Sequence, residues 1–494
     1  MELFNTLSGR VETLTPSHGA TFRMYACGPT VYDYGHIGNF RTFIHVDVLR
    51  RYLKQIGFTV RHVMNVTDVD DKIIRNAALL KLEIGAYTKK YEDAFFEDMA
   101  SLNLETPEII PHATDNIAEM VSLIERLRAE NIAYQAEDGS WYFRIARFPE
   151  YGKLSKKDLD GIEDGARIDS DEYEKDSARD FALWKAVKTA ADGVREHSWE
   201  TSLGAGRPGW HIECSAMATK FLGDSFDLHA GGEDLMFPHH ENEIAQSESA
   251  SHKPFALHWM HVRFLLVEGR KMSKSEGNFF TLRDLLLKGH RASAIRFLLM
   301  SVPYRHQLNF TFDGLTESTN AVDRLRTFAA RMRGSFSAGL NEELAATTAK
   351  ALAAYDAALS NDLNTAEARA AIFDLVRAGN VAADSGNLLA ENAAQILAVL
   401  ARFDAVFAVL EDRDAEIARG ALDWAERAGR LDEASPELAA NLALTDARIE
   451  ALIAERTQAK KTRNFARADA IRNQLLAQGV LLEDSKDGVR WKRK

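Results

Sequence analysis

The chain of 494 residues contains two cysteines, and each lies near other residues that can take part in chemistry. Cys27 stands at the tip of a predicted strand, and Cys214 lies near the start of a predicted helix. Farther along, His239 and Glu243 are four residues apart, so their side chains share one face of a helix. Two thiolates with an imidazole and a carboxylate favour zinc over magnesium or calcium.

Other interpretations of these residues remain open at this point. The two cysteines could be buried, inert thiols or form a disulfide, although a reducing compartment disfavours the disulfide. Spacing alone does not separate His239 from His240, or Glu243 from Glu241, because a polar helix face has the same composition.

A glycine-rich turn follows Cys27 and could bind phosphate. It reads Gly35-His36-Ile37-Gly38, and a helix is predicted to begin near Asn39. A helix start offers unpaired N–H groups and a positive dipole end to an anion, and His36 could add a donor. The alternative is that the segment is only a turn.

A second cationic segment contains Lys271 and Lys274. The two lysines are three residues apart in a small-residue loop bracketed by Gly269 and Gly277. Such a loop suits the charge that builds up on a triphosphate during displacement. A solvated basic loop is the alternative.

Hydrophobic patterns predict the elements that position these residues. Alternation over Thr21–Cys27, helical spacing up to Gly57 and a β-rich run over Thr59–Val66 indicate a βαβ unit. Its ligands should lie beyond the carboxyl ends of the parallel strands, where Cys27 stands. Further strands are predicted over Phe226–Gly232 and Val262–Val267, and Pro238 is predicted to open a helix. Magnesium binding and helix capping compete for the acidic trio of Asp68, Asp70 and Asp71, and capping is favoured.

Between the two halves of this α/β unit, an insertion is predicted. It contains a helical stretch over Asp115–Asn131, a short β-like segment over Ser140–Arg144 and a polar, loop-rich region over Lys153–Asp180. From about Gly314 the chain becomes rich in alanine and leucine, and its periodicity predicts a helical bundle. The bundle patterns cover Ala321–Met332, Glu343–Leu359 and Thr365–Ala378.

Charge is distributed unevenly along the chain. The formal net charge of −12 argues against broad, charge-driven binding of nucleic acid. The last 45 residues nevertheless hold 11 Lys/Arg against 6 Asp/Glu. Basic residues together with Trp491 suit RNA phosphates and an unstacked base. They are Arg456, Lys460, Lys461, Arg463, Arg467, Arg472, Lys492, Arg493 and Lys494.

Composition places the chain among cytoplasmic globular proteins. Hydrophobic residues make up 46% and charged residues 27% of the sequence, and two or three domains are expected from its length. No run approaches the length of a membrane span, and the N-terminus lacks the basic and apolar signal pattern.

Several motifs together resemble those of the cysteinyl-tRNA synthetases, a family of class I aminoacyl-tRNA synthetases. Gly35-His36-Ile37-Gly38-Asn39 is similar to the His-Ile-Gly-His signature of that class, with Asn39 in place of the final histidine. Lys271-Met272-Ser273-Lys274-Ser275 matches the second signature. The family-specific segments are Cys27-Gly28-Pro29-Thr30-Val31-Tyr32, Trp210-His211-Ile212-Glu213-Cys214 and Phe237-Pro238-His239-His240-Glu241-Asn242-Glu243.

The resemblance implies a role for each matched residue. It makes Cys27, Cys214, His239 and Glu243 the ligands of one zinc ion, and it excludes the disulfide. It implies that Gly28, Thr67 and Trp210 line the amino-acid pocket. The implied ATP-binding residues are His36, Asn39, Gly231, Gly232 and Lys274, and the implied catalytic residues are His36, Asn39, Lys271 and Lys274.

The resemblance also implies a reaction and an architecture. Cysteine would be activated with ATP and magnesium to cysteinyl-adenylate and then transferred to the 3′ end of tRNA(Cys) by a cytoplasmic monomer. The implied fold is α/β, a Rossmann-like parallel-sheet catalytic domain with a connective insertion, followed by an α-helical bundle and a small C-terminal anticodon-binding domain. The expected divisions are 1–110 and 210–313 for the catalytic domain, 111–209 for the insertion, 314–430 for the bundle and 431–494 for the anticodon-binding domain.

Two other functions compete with this one. A mycothiol-pathway ligase would join activated cysteine to an amino sugar, but those enzymes are shorter and lack the basic C-terminal module. A non-catalytic tRNA-binding or zinc-binding paralogue should have lost the lysine loop or the histidine turn, and this chain has both.

Overall fold

The computed structural model of the chain describes every residue except 157–179, 188–196, 437, 439–445, 463, 478, 486–487 and 494. Most of the predicted polar region over Lys153–Asp180 therefore lies outside the described residues. The same holds for Arg463 and Lys494 of the basic C-terminal stretch. Among the described helices, none combines the length and apolar content that crossing a membrane requires.

The secondary structure alternates strands and helices in the first part and becomes almost wholly helical after residue 311. In chain order, the described strands are β1 (Glu2–Asn5), β2 (Arg10–Thr13), β3 (Thr21–Ala26), β4 (Thr59–Met64), β5 (Ala133–Gln135), β6 (Trp141–Phe143), β7 (Phe181–Ala186), β8 (Gly206–Pro208), β9 (Phe226–Gly232), β10 (Ala256–Val262), β11 (Leu265–Val267), β12 (Arg270–Lys271), β13 (Leu308–Phe310), β14 (Val480–Ser485) and β15 (Gly488–Arg493). The described α-helices are α1 (Ile37–Gln55), α2 (Asp71–Leu80), α3 (Ile84–Ser101), α4 (Ile117–Ala129), α5 (Trp210–Leu222), α6 (Glu241–Ser251), α7 (Leu282–Leu287), α8 (Ala292–Leu299), α9 (Phe312–Met332), α10 (Glu342–Ser360), α11 (Thr365–Asp384), α12 (Ala390–Phe407), α13 (Asp414–Arg427), α14 (Asp446–Lys461) and α15 (Phe465–Ala477).

A four-stranded parallel sheet holds the first part together. Its order is β10-β9-β3-β4, so strands from before and after the insertion lie side by side. α1 connects β3 to β4, which confirms the predicted βαβ unit, and Gly57 follows the helix with a positive φ of 101°. Phe22, Met24 and Leu228 are fully buried, as expected for strands covered on both faces.

The insertion has its own small antiparallel sheet, in the order β5-β6-β7-β8. Phe143 and Phe181 stack across it, with ring centroids 4.8 Å apart. β8 ends at Pro208 and α5 begins at Trp210, so one residue separates the insertion from the helix that precedes β9 of the parallel sheet.

Two predicted elements differ from the structure. The strand predicted over Val262–Val267 is divided, because β10 ends at Val262 beside β9 while β11 pairs with β12 and β13 in a separate sheet. The helix predicted to open at Pro238 begins at Glu241 instead. Met236–His240 forms a wider turn in which Phe237 is extended, with φ −141° and ψ 130°.

The helical part packs directly on the parallel-sheet part. Arg296 of α8 is 1% exposed and joins several elements. Its Nη2 lies 2.6 Å from the Asp47 carboxylate of α1, and Nε and Nη1 donate to the carbonyls of Phe407 and Leu102 at 2.7 and 2.9 Å. At the C-terminus, α14 and α15 pack with the antiparallel pair β14 and β15 around a smaller core. That core contains Ile449, Leu452, Ile471, Leu475 and Val480.

Replacing Arg296 with Met should lower the free energy of unfolding by about 3–5 kcal/mol, because it leaves Asp47 and several buried carbonyls without this partner. Urea denaturation followed by circular dichroism measures the change. Arg377→Met is the matched control, since Arg377 and Asp374 form a pair whose side chains are 76% and 70% exposed. The control should change stability by less than about 0.5 kcal/mol, and equal effects of the two substitutions would contradict the assigned role of Arg296.

Candidate functional site

A cleft of about 1480 Å³ lies at the carboxyl ends of the parallel strands. The turn after β3, the start of α5, the end of β9 and the lysine loop all contribute to its walls, and β7 and β8 add residues from the insertion. The sequence-predicted residues that line it are Cys27, Gly28, His36, Asn39, Trp210, Gly232, Lys271 and Lys274.

The two cysteines meet next to this cleft, and Cys27 is part of its wall. The sulfurs of Cys27 and Cys214 are 3.8 Å apart, and Cys27 Sγ lies 3.5 Å from Glu243 Oε1. His239 Nε2 lies 3.1 Å from the same carboxylate oxygen, and all four side chains are buried. Two thiolates on one tetrahedral zinc, with Zn–S bonds near 2.3 Å, would be about 3.8 Å apart. The four side chains therefore fit a zinc ion.

The two thiols of the cluster differ in acidity, since burial and the neighbouring Cys214 raise the pKa of Cys27 well above its usual range. The bond donated by the Cys27 thiol lowers the pKa of Cys214 to about 6, although burial acts in the opposite direction. Burial disfavours both charged partners in the pair of His239 and Glu243. Nevertheless, contacts to Cys214 and Glu243 raise the pKa of His239 to about 10, and His229 and His239 lower that of Glu243 to about 2.

A second, overlapping set of donors shares two of these residues. Cys27 and Glu243 also approach His240 and His229, at 3.3 Å and 2.9 Å respectively. Sequence spacing leaves His240 open as a ligand, and the structure places its Nε2 4.0 Å from Glu243 Oε1, compared with 3.1 Å for His239. Only the set with Cys214 and His239 uses both thiols. Glu241 is excluded, because its carboxylate accepts backbone N–H groups of Gly152 and Ser155 instead.

The signature turn caps the helix that faces the cleft. His36 is the N-cap of α1: its Nδ1 accepts the N–H of Asn39, and Asn39 Oδ1 accepts the N–H of His36, both at 3.1 Å. Burial lowers the pKa of His36 to about 4, so the imidazole is neutral at pH 7. Because Nδ1 accepts, the proton resides on Nε2, which leaves His36 a donor beside the first turn of the helix.

The lysine loop lies opposite this turn. Lys274 Nζ is 2.7 Å from Asp33 Oδ2, and this contact raises the pKa of Lys274. Asn278 organises the loop by accepting the N–H of Ser273 at 2.8 Å and donating to the carbonyl of Lys271 at 3.0 Å.

The predicted amino-acid pocket differs in one respect from its expected form. Trp210 lies against His239, with ring centroids 4.4 Å apart, and Gly28 adjoins Cys27. A Cβ at Gly28 would lie 1.7 Å from the carbonyl oxygen of Asn65, so only glycine fits there. Thr67, by contrast, is behind the wall, and its hydroxyl donates to Glu213 at 2.9 Å.

Sequence reasoning missed Glu213 and Asn65 as parts of the site. Glu213 lines the cleft at 1% exposure, and Asn65 accepts the N–H of Gly28 at 3.0 Å. Both could have been found, because Asn65 lies near the end of a predicted strand and Glu213 lies within the Trp210–Cys214 motif.

The remaining predicted groups have structural partners. A Cβ at Gly231 would lie 2.6 Å from the ring of His240, so this glycine makes room for that histidine. Asp70 caps α2 by accepting the N–H of Ile73 at 2.6 Å, as predicted. Asp68 accepts from Thr114, and Asp71 pairs with Lys185 and Arg207 of the insertion.

Comparison with known families matches three consecutive parts of the chain. A family described as "tRNA synthetases class I (C) catalytic domain" matches residues 13–320, a DALR domain family matches 354–411, and a cysteinyl-tRNA ligase anticodon binding domain matches 444–491.

Relatives that match this chain over almost their whole length agree with these family matches. Proteins named cysteine–tRNA ligase from Koribacter versatilis and Solibacter usitatus are 59% and 54% identical, each over 100% of both chains. The one from Chlamydia caviae is 43% identical over 99% of this chain and 97% of its own length.

The fold also resembles Mycobacterium tuberculosis methionyl-tRNA synthetase in complex with methionyl-adenylate. The TM-score is 0.55, at 16% identity, over 83% of this chain and 91% of that one. The structural likeness indicates the fold alone, whereas the sequence relatives match from end to end at far higher identity. The chain therefore belongs to the cysteine–tRNA ligases, a family of class I aminoacyl-tRNA synthetases.

Proposed function

We propose that this protein activates L-cysteine with ATP, releases pyrophosphate and transfers cysteine from the adenylate to the 3′ end of tRNA(Cys). The observation that carries this proposal is a pair of buried sulfurs, 3.8 Å apart, one of which belongs to Cys27 in the wall of the cleft that both signature segments line. The proposed ligands of one zinc ion are Cys27, Cys214, His239 and Glu243. When bound, zinc would supply a Lewis acid that holds the substrate sulfur as a thiolate.

The amino-acid subsite would distinguish cysteine from serine. The two substrates differ by one atom at nearly the same size, so shape alone gives modest discrimination. The buried thiol pair supports a sulfur-selective site. Trp210 and Gly28 would form its wall, and Thr67 would act through Glu213. Burial raises the pKa of Glu213, and its carboxyl group would accept a hydrogen bond from the substrate ammonium.

The nucleotide would lie between the signature turn and the lysine loop. The N-terminus of α1, the Nε2 proton of His36 and the side-chain amide of Asn39 would meet the phosphates. Gly231 and Gly232 would lie near the adenosine, and magnesium would accompany ATP. Lys274, helped by Lys271, would stabilise the charge on the departing pyrophosphate.

The three matched segments support the division expected from sequence. We assign 1–110 and 210–313 to the catalytic domain, 111–209 to the insertion, 314–430 to the bundle and 431–494 to the anticodon-binding domain. The substrates imply action in the cytoplasm, and a monomeric state stays a prediction.

Cysteine-dependent exchange of pyrophosphate into ATP, followed by charging of tRNA(Cys), tests the function. Both activities are expected, and serine should support neither at comparable concentration. Exchange without charging would indicate a cysteine ligase with a different acceptor, and the absence of exchange would contradict catalysis.

Cys214→Ser should abolish bound zinc and reduce cysteine activation by more than about 100-fold, because a serine hydroxyl stays protonated and binds zinc poorly. Zinc content by mass spectrometry and pyrophosphate exchange measure the two effects. His239→Asn should behave like Cys214→Ser, whereas His240→Asn should retain zinc. A zinc-free Cys214→Ser variant with full activity, or loss of zinc only in His240→Asn, would overturn the ligand assignment.

Lys461 and Arg472 are exposed, and the double variant Lys461→Glu/Arg472→Glu should reduce kcat/KM for tRNA by about tenfold, because phosphate contacts are lost. The dependence of kcat/KM on salt concentration should become weaker for the same reason. Cysteine-dependent exchange should not change, since it requires no tRNA. Lys350→Glu, on the exposed surface of α10, is the control for charge alone. A variant that charges tRNA as well as the wild type would contradict RNA binding by this surface.

A further inference from the structure

Asp33 stands at the mouth of the cleft, between β3 and α1, and contacts a lysine far away in sequence. Its Oδ2 lies 2.7 Å from Lys274 Nζ across 241 residues of chain. The carboxylate is oriented by its own turn, because Oδ1 accepts the N–H of Tyr34 at 2.9 Å. The side chain of Asp33 is 37% exposed and that of Lys274 is 67% exposed, so a ligand can reach the pair.

One aromatic ring, that of Phe279, lies between the Lys274 ammonium and the start of α1. Lys274 Nζ lies 5.0 Å from the centroid of the Phe279 ring, and that ring meets the His36 imidazole edge-on at 5.3 Å. His36 is the N-cap of α1. The ion pair therefore holds a cation one aromatic ring away from the N-cap of a helix. Two positive features this close would repel each other without an anion beside them.

We propose that Asp33 is a positioning residue that occupies the ammonium of Lys274 until a polyphosphate replaces it. This rests on the proposed function, because it takes Lys274 as a phosphate-binding residue. A carboxylate and a triphosphate compete for the same cation. Asp33 thus keeps the lysine loop over the site in the free protein and competes with pyrophosphate for Lys274 afterwards.

The expected effect is moderate, because the pair is exposed. Exposed ion pairs change an equilibrium by about two- to fivefold. Asp33→Asn removes the charge and keeps the size and the acceptor for the N–H of Tyr34. The Asp33→Asn variant should bind ATP and inorganic tripolyphosphate about two- to fivefold more tightly than the wild type. Its KM for ATP should be lower. Its kcat should be unchanged, or reduced because pyrophosphate is released more slowly.

A double-mutant cycle on the full-length chain tests the pairing. Dissociation constants for inorganic tripolyphosphate, without magnesium, are measured by calorimetry for wild type, Asp33→Asn, Lys274→Met and the double variant. The gain from Asp33→Asn should disappear in the Lys274→Met background, since there is then no ammonium to release. Glu276→Gln is the matched control: Glu276 lies in the same loop but pairs with Arg270 at 3.1 Å, and its variant should bind like wild type.

Three outcomes would overturn the proposal. An equal gain in the Lys274→Met background would mean that Asp33 acts only by repelling phosphate. Weaker binding of magnesium ATP with unchanged binding of tripolyphosphate would make Asp33 a group that serves the metal. No change in any constant would mean that the pair has no influence. The binding cycle requires no turnover, so loss of cysteine-dependent exchange in the wild type would contradict the proposed function without deciding this inference.

Discussion

Four buried ionisable side chains meet beside the cleft, and their charges must be balanced within the protein. Removing such groups from water costs several kcal/mol each unless close partners compensate. Two sulfurs and a carboxylate face one imidazole in this cluster, so holding both sulfurs as thiolates would require a cation. In the proposed function, zinc would supply that charge. The cluster links three elements, because Cys27 directly follows β3, Cys214 lies in α5 and Glu243 lies in α6.

The remainder of the cleft is held by contacts between segments distant in sequence. Lys274 reaches Asp33 from the lysine loop, and Lys185 and Arg207 reach Asp71 from the insertion. Asp33 and Asp71 both precede the insertion in the chain. Their partners lie after the insertion, for Lys274, or within it, for Lys185 and Arg207. The walls of the site therefore form only when both halves of the parallel sheet are in place.

Much of this arrangement could be predicted from the sequence. Alternation and glycine positions located β3, α1 and β4, and the rule for carboxyl ends of parallel strands brought Cys27 to the site. What could not be predicted depends on tertiary packing. Spacing does not decide between His239 and His240, because residues four and three positions before Glu243 lie on the same face of a helix. The structure places His239 Nε2 3.1 Å and His240 Nε2 4.0 Å from the Glu243 carboxylate. The position of Thr67 behind Glu213 could not be predicted, because a strand pattern gives the face on which a residue lies but not which side chains cover that face. The break between Val262 and Leu265 follows from the pairing of β11 with a strand more than forty residues later, which no local pattern encodes.

The buried guanidinium of Arg296 has a mechanical consequence for the whole molecule. It bonds to α1 through Asp47 and to the end of α12 through Phe407. α1 is also the helix whose first turn meets the phosphates in the proposed reaction. A displacement of the end of α12 would therefore be passed to α1 through the hydrogen bonds of one buried side chain.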